Sequence, residues 1–268
     1  MNTSEFTDIT LERRDRVAII TLDRPGALNA VRTRTLVELG AVLDLVALDP
    51  DIRCLVLTGA GRAFCAGQDL SELDGDLAEI GMSASLDDVR ARLEPYQSFT
   101  RRLMGLRVPS IAAINGLAVG LGTEIAVACD LRLAVPTARI GFVEASRALF
   151  QTNGVLWLLP RLVGHGRSLQ LLLGGQLIDA DEAHRIGLVN DLADDVLVAA
   201  LELAEIVASN APISIRALRD VMRVTWELDI DAVMELEVQG VAACLASADL
   251  REGTAAFLER RIPNYRGI

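Results

Sequence analysis

The chain has 268 residues, of which 51% are hydrophobic, 24% are charged and only 4% are aromatic, and its formal net charge is −11. This length can bury one large core, which must be built from aliphatic side chains because aromatic ones are scarce. Nucleic acids and anionic membrane surfaces bind clustered positive charge, so the acidic balance argues against both as partners. We therefore expect a compact globular protein with neither partner.

The basic residues exclude several kinds of enzyme. All 26 of them are arginines, whereas Schiff-base, pyridoxal-phosphate and P-loop enzymes need a lysine at the reaction centre. The two histidines, His165 and His184, are too few for a histidine-rich metal site, and no G-x-S-x-G turn accompanies them. We predict no metal site and interpret both histidines as solvated residues at helix ends.

Cysteine spacing and the N-terminus bear on the compartment. The four cysteines have neither C-x-x-C spacing nor the density of a secreted disulfide scaffold, which predicts reduced thiols. Residues 1–16 are polar and acidic, unlike a signal peptide. The most apolar segment, residues 108–135, is interrupted by charges that are costly at the bilayer centre. These features predict a cytoplasmic protein whose apolar segment is core.

The first predicted strand is rich in β-branched residues, and a turn sequence, DRPG, follows it. Apolar residues then recur on one helical face until the sequence DPD. Three further apolar runs are typical of buried strands, and the third strand is followed by a short helix that begins near Leu121. Strands that alternate with helices imply crossover connections and a mainly parallel sheet. The predicted strands are residues 16–22, 52–59, 109–116 and 131–135, and the first helix is residues 27–48.

Beyond about residue 193 the pattern becomes helical almost throughout. Residues 211–224 and 231–246 carry more apolar side chains than one core-facing stripe requires. Part of this surface is expected to contact another subunit, and ordinary packing onto the parent core is an equal alternative. We divide the chain into an α/β core, residues 1–193, and a helical C-terminal region for oligomerisation, residues 194–268.

The glycine-rich segment at residues 110–124 raises the question of a dinucleotide fingerprint. Gly120 and Gly122 form G-x-G, but Ile125 occupies the third glycine position. No acid lies about twenty residues on at the end of a next strand, where a ribose would be bound. A nicotinamide oxidoreductase is therefore disfavoured.

Two loops together indicate another chemistry. Residues 64–70 follow the second predicted strand and residues 115–124 follow the third, so in a parallel sheet both loops lie at the same edge. Backbone N–H groups from both loops and the start of a helix there would form an oxyanion hole. The arrangement predicts an acyl substrate that is enolised or attacked in place.

The same loops carry a family resemblance. The segments AFCAGQDL and NGLAVGLGTEIAVACDLRLA, with DRPGALNA upstream and DADEAHRIGLVN downstream, resemble the crotonase, or enoyl-CoA hydratase/isomerase, superfamily over nearly the whole chain. The resemblance implies an α/β fold with a crotonase-like repeated ββα core and a helical C-terminal extension. It also implies an acyl-CoA thioester substrate, no cofactor apart from the coenzyme A of that substrate, and a homotrimer or homohexamer.

The resemblance implies roles for particular residues. The thioester oxygen would accept N–H bonds from Gln68 and from Leu121, where the family usually has glycine. Leucine keeps the N–H, but its side chain is expected to narrow the acyl pocket. The groove for coenzyme A would involve Ala27, Leu28, Ala66, Asp69 and Leu70, with Arg24 as a phosphate partner.

Hydratases of the superfamily have glutamates at the positions of Glu124 and Glu144. Hydration needs a base for the water and an acid for the α-carbon. Glu124, near a helix N-terminus, is expected to stay ionised as the base; Glu144, flanked by apolar residues, is expected to have a raised pKa and to be the acid. Their titrations should be coupled. The alternative is that Glu124 only complements the helix dipole and that Glu144 is a solvated loop acid.

One stretch departs from the hydratase pattern. After Glu144 the family normally has a proline and several glycines, whereas here Thr152 occupies the water-contact position and only Gly154 remains of the cluster. Phe150 and Trp157 are expected to add bulk to the acyl pocket. An enoyl-CoA hydratase is the favoured prediction, and the alternatives are another crotonase reaction, such as double-bond isomerisation or decarboxylation, or an inert acyl-CoA-binding member.

Overall fold

The computed structural model describes residues 6–72 and 85–268. The strands are Ile9–Arg14 (β1), Val17–Leu22 (β2), Cys54–Gly59 (β3), Ala63–Cys65 (β4), Ser110–Ile114 (β5), Leu117–Val119 (β6), Leu131–Ala134 (β7), Arg139–Gly141 (β8), Leu177–Asp179 (β9) and Asp191–Leu192 (β10). The helices are Thr33–Leu48 (α1), Leu86–Gly105 (α2), Leu121–Ala128 (α3), Val155–Val163 (α4), His165–Gly174 (α5), Ala180–Arg185 (α6), Val196–Ser209 (α7), Pro212–Val224 (α8), Ile230–Ala246 (α9) and Ala248–Glu259 (α10).

The larger sheet has six strands in the order β1-β2-β3-β5-β7-β10. Only β1 and β2 pair antiparallel, and every other neighbouring pair is parallel, as the alternation of strands and helices predicted. All residues of β3 and β5 are buried, because helices cover both faces of a parallel sheet. The four predicted strands are therefore confirmed, with boundaries that differ by at most two residues.

The smaller sheet has four strands in the order β4-β6-β8-β9. Three times in succession a strand of the larger sheet is followed by a three-residue strand of the smaller one: β3 by β4, β5 by β6, and β7 by β8. A helix follows each pair, which is the repeated ββα core that the resemblance implied. Sequence reasoning missed the short strands, since three residues carry no periodic signal, and it also missed β1.

The predicted start of the first helix is wrong. Residues 27–32 belong to the apolar pattern, yet α1 begins only at Thr33. Leu28 and Asn29 adopt positive φ angles of 51° and 59°, and the buried Asn29 amide donates hydrogen bonds to the carbonyl oxygens of Ala60 and Ala63. This tertiary anchor holds the segment in a turn, and a helical sequence pattern cannot reveal it.

The C-terminal region is helical, as predicted, but its helices differ in burial. Helix α7 packs against β2, β3, β5 and β7, where Ala200 and Ala204 join Val17 and Val56 in a second core cluster. In contrast, α9 has no buried residue. The boundary at residue 193 remains a prediction. Within the described ranges no single helix is long and apolar enough to cross a membrane. One pair of consecutive helical segments, Val196–Ser209 and Pro212–Glu227, is long and apolar enough when taken together, but the pair is bent by 108°.

The histidine and cysteine predictions agree with the fold. His165 is the first residue of α5 and His184 lies near the end of α6, and both are exposed. All four cysteines are free thiols. Burial raises the pKa of Cys54, Cys65 and Cys129 to about 12, so these three are inert at neutral pH.

Candidate active site

Two loops meet at one edge of the smaller sheet. Strand β4 ends at Cys65 and β6 ends at Val119, where α3 begins two residues later. Gly67 has a φ of +101°, and a Cβ there would stand 2.9 Å from the Val119 carbonyl oxygen and 3.7 Å from the Leu121 nitrogen. Only glycine allows this contact, which brings the backbone of one loop against the other.

The backbone N–H groups of Gln68 and Leu121 have no hydrogen-bond acceptor among the described residues. Val31 pairs with the first loop as a parallel bridge: its N–H donates to Gly67 O and its carbonyl accepts from Asp69 N, both at 2.8 Å. This pairing turns the intervening Gln68 N–H to the other side. The Leu121 N–H is the first of α3 and has no intrahelical acceptor. Neither N–H has a hydrogen-bond acceptor in the part of the chain that the structure describes.

Both residues line a cavity of about 250 Å³ whose wall is mainly apolar. The same cavity receives the two predicted glutamates and the predicted water-contact residue, so the structure brings together residues that lie up to 84 positions apart in the sequence. The lining residues are Ala66, Gly67, Gln68, Leu70, Arg92, Leu93, Tyr96, Val119, Gly120, Leu121, Glu124, Val143, Glu144, Arg147, Leu149, Phe150 and Thr152.

Glycines let the two glutamates approach. A Cβ at Gly122 would collide with the carbonyl oxygen of Cys65, so α3 packs on β4 through bare backbone. A Cβ at Gly120, where φ is +54°, would lie 2.9 Å from Glu144 Oε1. The glycine-rich sequence therefore serves close packing, and it places Glu124 of α3 near Glu144.

Glu124 is almost completely buried, with 1% of its surface exposed. The Asn153 side-chain amide donates to its Oε2 at 2.9 Å, and the Thr152 N–H donates to its Oε1 at 3.3 Å. Burial, and then the nearby charge of Glu144, raise the Glu124 pKa to about 7, although these donors and the Asn153 N–H oppose the rise. Glu124 is thus poised to exchange a proton near neutral pH.

Glu144 lies at the N-terminus of a 3-10 turn, Ala145–Arg147, and is 8% exposed. Burial raises its pKa, while Arg147 and Gln151 oppose the rise. Among the described residues its Oε2 has no hydrogen-bond partner. This carboxyl group therefore has one oxygen available to a bound molecule.

The expectation that Glu124 stays ionised is wrong in its physical basis. The helix dipole favours a carboxylate at this position. However, every residue of α3 is buried, and removing the carboxylate from water outweighs the dipole. The raised pKa expected for Glu144 is confirmed, and the mutual charge effect fits the expected coupling of the two titrations.

Comparison with known proteins bears on what this cavity is for. The profile of the Enoyl-CoA hydratase/isomerase family matches residues 12–267. This chain belongs to that family. A short-chain-enoyl-CoA hydratase of Clostridium acetobutylicum is 35% identical over 96% of this chain and 97% of its own length. A 2,3-dehydroadipyl-CoA hydratase of Escherichia coli is 35% identical over 98% of this chain and its full length. The crystal structure of an enoyl-CoA hydratase from Bacillus anthracis superposes with a TM-score of 0.91, at 33% identity, over 98% of this chain and 100% of the other.

The residues expected to bind coenzyme A in this family member occupy two places. Ala66 and Leu70 line the cavity, whereas Ala27, Leu28, Asp69 and Arg24 do not. The residues that line the cavity and those that do not are nevertheless adjacent, because the Ala66 N–H donates a hydrogen bond to the Leu28 carbonyl oxygen at 3.0 Å.

Arg24 has structural contacts that the sequence did not indicate. Its Nη1 donates to Asp69 Oδ2 at 2.9 Å and to Ala30 O at 2.6 Å, which ties the DRPGALNA segment to the first loop. Its role as a phosphate partner remains a prediction.

The predicted bulk of the acyl pocket is half right. Phe150 and Leu121 line the cavity. Trp157 does not, since it stacks under the Arg161 guanidinium, which lies 3.7 Å from its ring centre. Trp157 was placed there by sequence proximity alone, and the course of α4 carries it elsewhere.

Sequence reasoning missed several residues at this site. Asn153 directly follows Thr152, in the segment where the family normally has several glycines. A polar residue at that position was a sequence signal that could have identified it. Tyr96, Arg92 and Leu93 come from α2, to which sequence analysis assigned nothing, and Tyr96 Oη accepts a hydrogen bond from the Gln68 side-chain amide at 3.0 Å. Only the packing of α2 against the first loop identifies them.

Proposed function

We propose that this protein adds water to a 2-enoyl-CoA thioester and produces a 3-hydroxyacyl-CoA. One observation carries the proposal: two buried carboxyl groups with raised pKa values share one cavity with two backbone N–H groups that have no acceptor in residues 6–72 and 85–268. Hydration of a double bond conjugated to a thioester requires these two kinds of group together.

The proposed reaction follows from their placement. The N–H groups of Gln68 and Leu121 bind the thioester oxygen and stabilise the negative charge that develops on it. Ionised Glu124 takes a proton from water as the water oxygen bonds to C3, and protonated Glu144 gives its proton to C2. The product carries both elements of water, and the two carboxyl groups then exchange protons with solvent to restore the starting state.

Asn153 and Thr152 position the base in this mechanism. Their donors fix the Glu124 carboxylate in one orientation and favour its ionised form against the cost of burial. The Thr152 hydroxyl lies 3.5 Å from Glu124 Oε2, at the edge of the space proposed for the attacking water. The residues that replace the usual glycine cluster would therefore take over its contact with the water.

Coenzyme A enters the proposal as part of the substrate, and no further cofactor is required. The groove near Leu28 and Ala66 is proposed for its pantetheine arm. Two relatives with the same sequence identity to this chain, 35%, are named for a short-chain enoyl-CoA and for 2,3-dehydroadipyl-CoA. Sequence similarity alone therefore does not identify the acyl group.

A single-carboxylate isomerase is the second candidate, and one observation favours it. Both oxygens of Glu124 accept hydrogen bonds from protein donors, whereas Glu144 Oε2 has no partner among the described residues. Glu144 alone could then move a proton between two carbons of the acyl chain. The two reactions differ in whether they need Glu124.

The test compares Glu124→Gln with Glu144→Gln on crotonyl-CoA hydration and on the isomerisation of a 3-enoyl-CoA. For a hydratase each variant should lower kcat about 10²- to 10⁴-fold, the usual effect of a positioned acid or base. KM should change little, because the contacts with coenzyme A lie elsewhere. The double variant should lose far less than the product of the two single losses, since the residues act as a unit.

A different outcome would transfer the proposal to the isomerase. In that case Glu124→Gln keeps nearly full activity while Glu144→Gln is inactive, and the 3-enoyl-CoA is the better substrate. If the wild type binds acyl-CoA but turns over neither thioester, the chain is a binding protein and both catalytic proposals fail.

A further inference from the structure

Arg147 is a charged residue on the wall of the cavity. It closes the 3-10 turn that begins after Glu144, it is exposed, and it lines the cavity. In the described part of the chain its guanidinium makes no hydrogen bond and no ion pair. Glu144 makes no hydrogen bond with Arg147, which acts on it only through charge, and Glu144 Oε2 has no hydrogen-bond partner among the described residues. Within residues 6–72 and 85–268, therefore, no carboxylate forms an ion pair with this arginine.

A second arginine contributes positive charge to the same cavity. Arg92 comes from α2, one helical turn before Tyr96, and its charge lowers the Tyr96 pKa against the effect of burial. The same cavity is also lined by the apolar side chains of Leu93, Leu149 and Phe150. A purely hydrocarbon acyl tail would make no ion pair with Arg147, whereas an anionic tail would.

We propose that the acyl group bound here ends in a carboxylate, which Arg147 binds. The inference rests on the proposed function and specifies its substrate class: a 2-enoyl-CoA whose acyl chain carries an ω-carboxylate. The planar guanidinium binds a carboxylate through two parallel hydrogen bonds.

The spacing sets the approximate length of the chain. Residues three apart on a helical turn stand roughly 5–6 Å apart. When C2 lies at Glu144, as the proposed reaction requires, Arg147 on its flexible stem reaches a carboxylate that is three or four carbons further along. The site therefore suits an acyl chain of about six carbons, with apolar contacts along its middle and the charge at its end.

The phosphates of coenzyme A are the competing partner for Arg147, and a matched pair of ligands separates the two. Hexanoyl-CoA and its ω-carboxylate counterpart have the same coenzyme A and the same chain length, so their ratio of Kd values reports the tail alone. Both are saturated and cannot be hydrated. Calorimetric binding therefore tests the inference even if the proposed catalytic function fails.

The variants are Arg147→Met, which removes the charge, Arg147→Lys, which keeps it, and Arg90→Met as a control. Arg90 lies on α2 two residues from Arg92, pairs with the exposed Asp87 at 2.7 Å and does not line the cavity. The wild type should bind the ω-carboxylate ligand about tenfold more tightly or better, the scale of a charge-assisted hydrogen bond. Arg147→Met should abolish that preference, Arg147→Lys should retain part of it, and Arg90→Met should retain it fully.

Two results would overturn the inference while leaving the hydratase proposal intact. One is equal or tighter binding of hexanoyl-CoA by the wild type. The other is an equal loss of affinity for both ligands in Arg147→Met, which would assign the arginine to coenzyme A. Turnover of the matching 2-enoyl thioesters, measured separately, tests the hydratase proposal: hydration of neither would refute that function without changing the binding result.

Discussion

Helices α3 and α9 are both rich in apolar residues, yet they have opposite surroundings. All eight residues of α3 are buried, including Glu124, whereas none of the 17 residues of α9 is buried. Large apolar side chains of α9 recur every three or four residues and stay exposed on one face. They are Ile230, Met234, Val238, Val241 and Leu245.

The difference shows that apolar composition alone does not determine burial. Helix α3 packs on β4 and β6 of the smaller sheet, and its glycines let it touch β4 backbone to backbone. Helix α9 contacts α8 and α10. Its five exposed apolar side chains, here called the α9 stripe, are not covered by any residue in the described part of the chain. An apolar sequence thus builds the buried wall of the cavity in one place and, among the described residues, an uncovered surface in the other.

The largest expected effect contrasts one glycine from each helix. Gly122→Ala forces a Cβ against the Cys65 carbonyl oxygen, so it should cost about 3 kcal/mol of unfolding free energy or more and abolish activity. Gly240→Ala in α9 meets only the Ala217 Cβ, at 3.6 Å, and should be neutral or stabilise by about 0.5–1 kcal/mol. Urea unfolding of both variants measures the difference. Equal stabilities would show that α3 is not held by backbone contact.

The second effect concerns assembly. We propose that the α9 stripe meets other copies of the chain in a homotrimer or homohexamer, which light scattering should report as three or six times the 28.8 kDa of one chain. Val238→Asp places a charge in the stripe and should give a mass near that of a single chain with unchanged circular dichroism. Glu237→Asp, one residue away, is the control and should keep the assembly. A wild-type mass near 28.8 kDa at all concentrations would refute the interface.

The third effect tests the consequence of burying α3. Because the base must be ionised, kcat/KM should rise with pH through about 7, the raised pKa of Glu124. Asn153→Ala removes a donor that favours the ionised form, so the pKa rises further and the acidic limb should move upward by about one pH unit. Thr152→Ala keeps the Thr152 backbone N–H that donates to Glu124, so the acidic limb of the kcat/KM profile should stay at the same pH. A limb that stays unchanged in Asn153→Ala would mean that this amide does not act on the base.

The smallest effect concerns the first loop. Gln68→Ala keeps the backbone N–H proposed for the thioester oxygen and loses only the side-chain bond to Tyr96, so most of the turnover should remain. The free energy of unfolding should fall by about 1 kcal/mol, the usual net contribution of one hydrogen bond. If the folded variant is inactive while its affinity for coenzyme A is unchanged, the side-chain amide is itself catalytic.

Much of the framework can be predicted from the sequence. The four apolar strands, the helix start at Leu121 and the meeting of two loops at one sheet edge follow from local pattern and from the rule that parallel strands end together. Glu124 and Glu144 were identified by their spacing within a family pattern. These features are local or repeat in order along the chain, so a single sequence carries them.

Tertiary structure decided the rest. The start of α1 depends on Asn29 bonding to residues more than thirty positions away, and the place of Asn153 and Arg147 depends on how a glycine-poor loop folds over the cavity. The Glu124 pKa near 7 arises from desolvation, which depends on all the atoms packed around the group and on none of its sequence neighbours in particular. Local conformational preferences depend on residues that are close in the sequence. Burial and electrostatic environment depend on segments that are distant in the sequence and come together only in the folded protein.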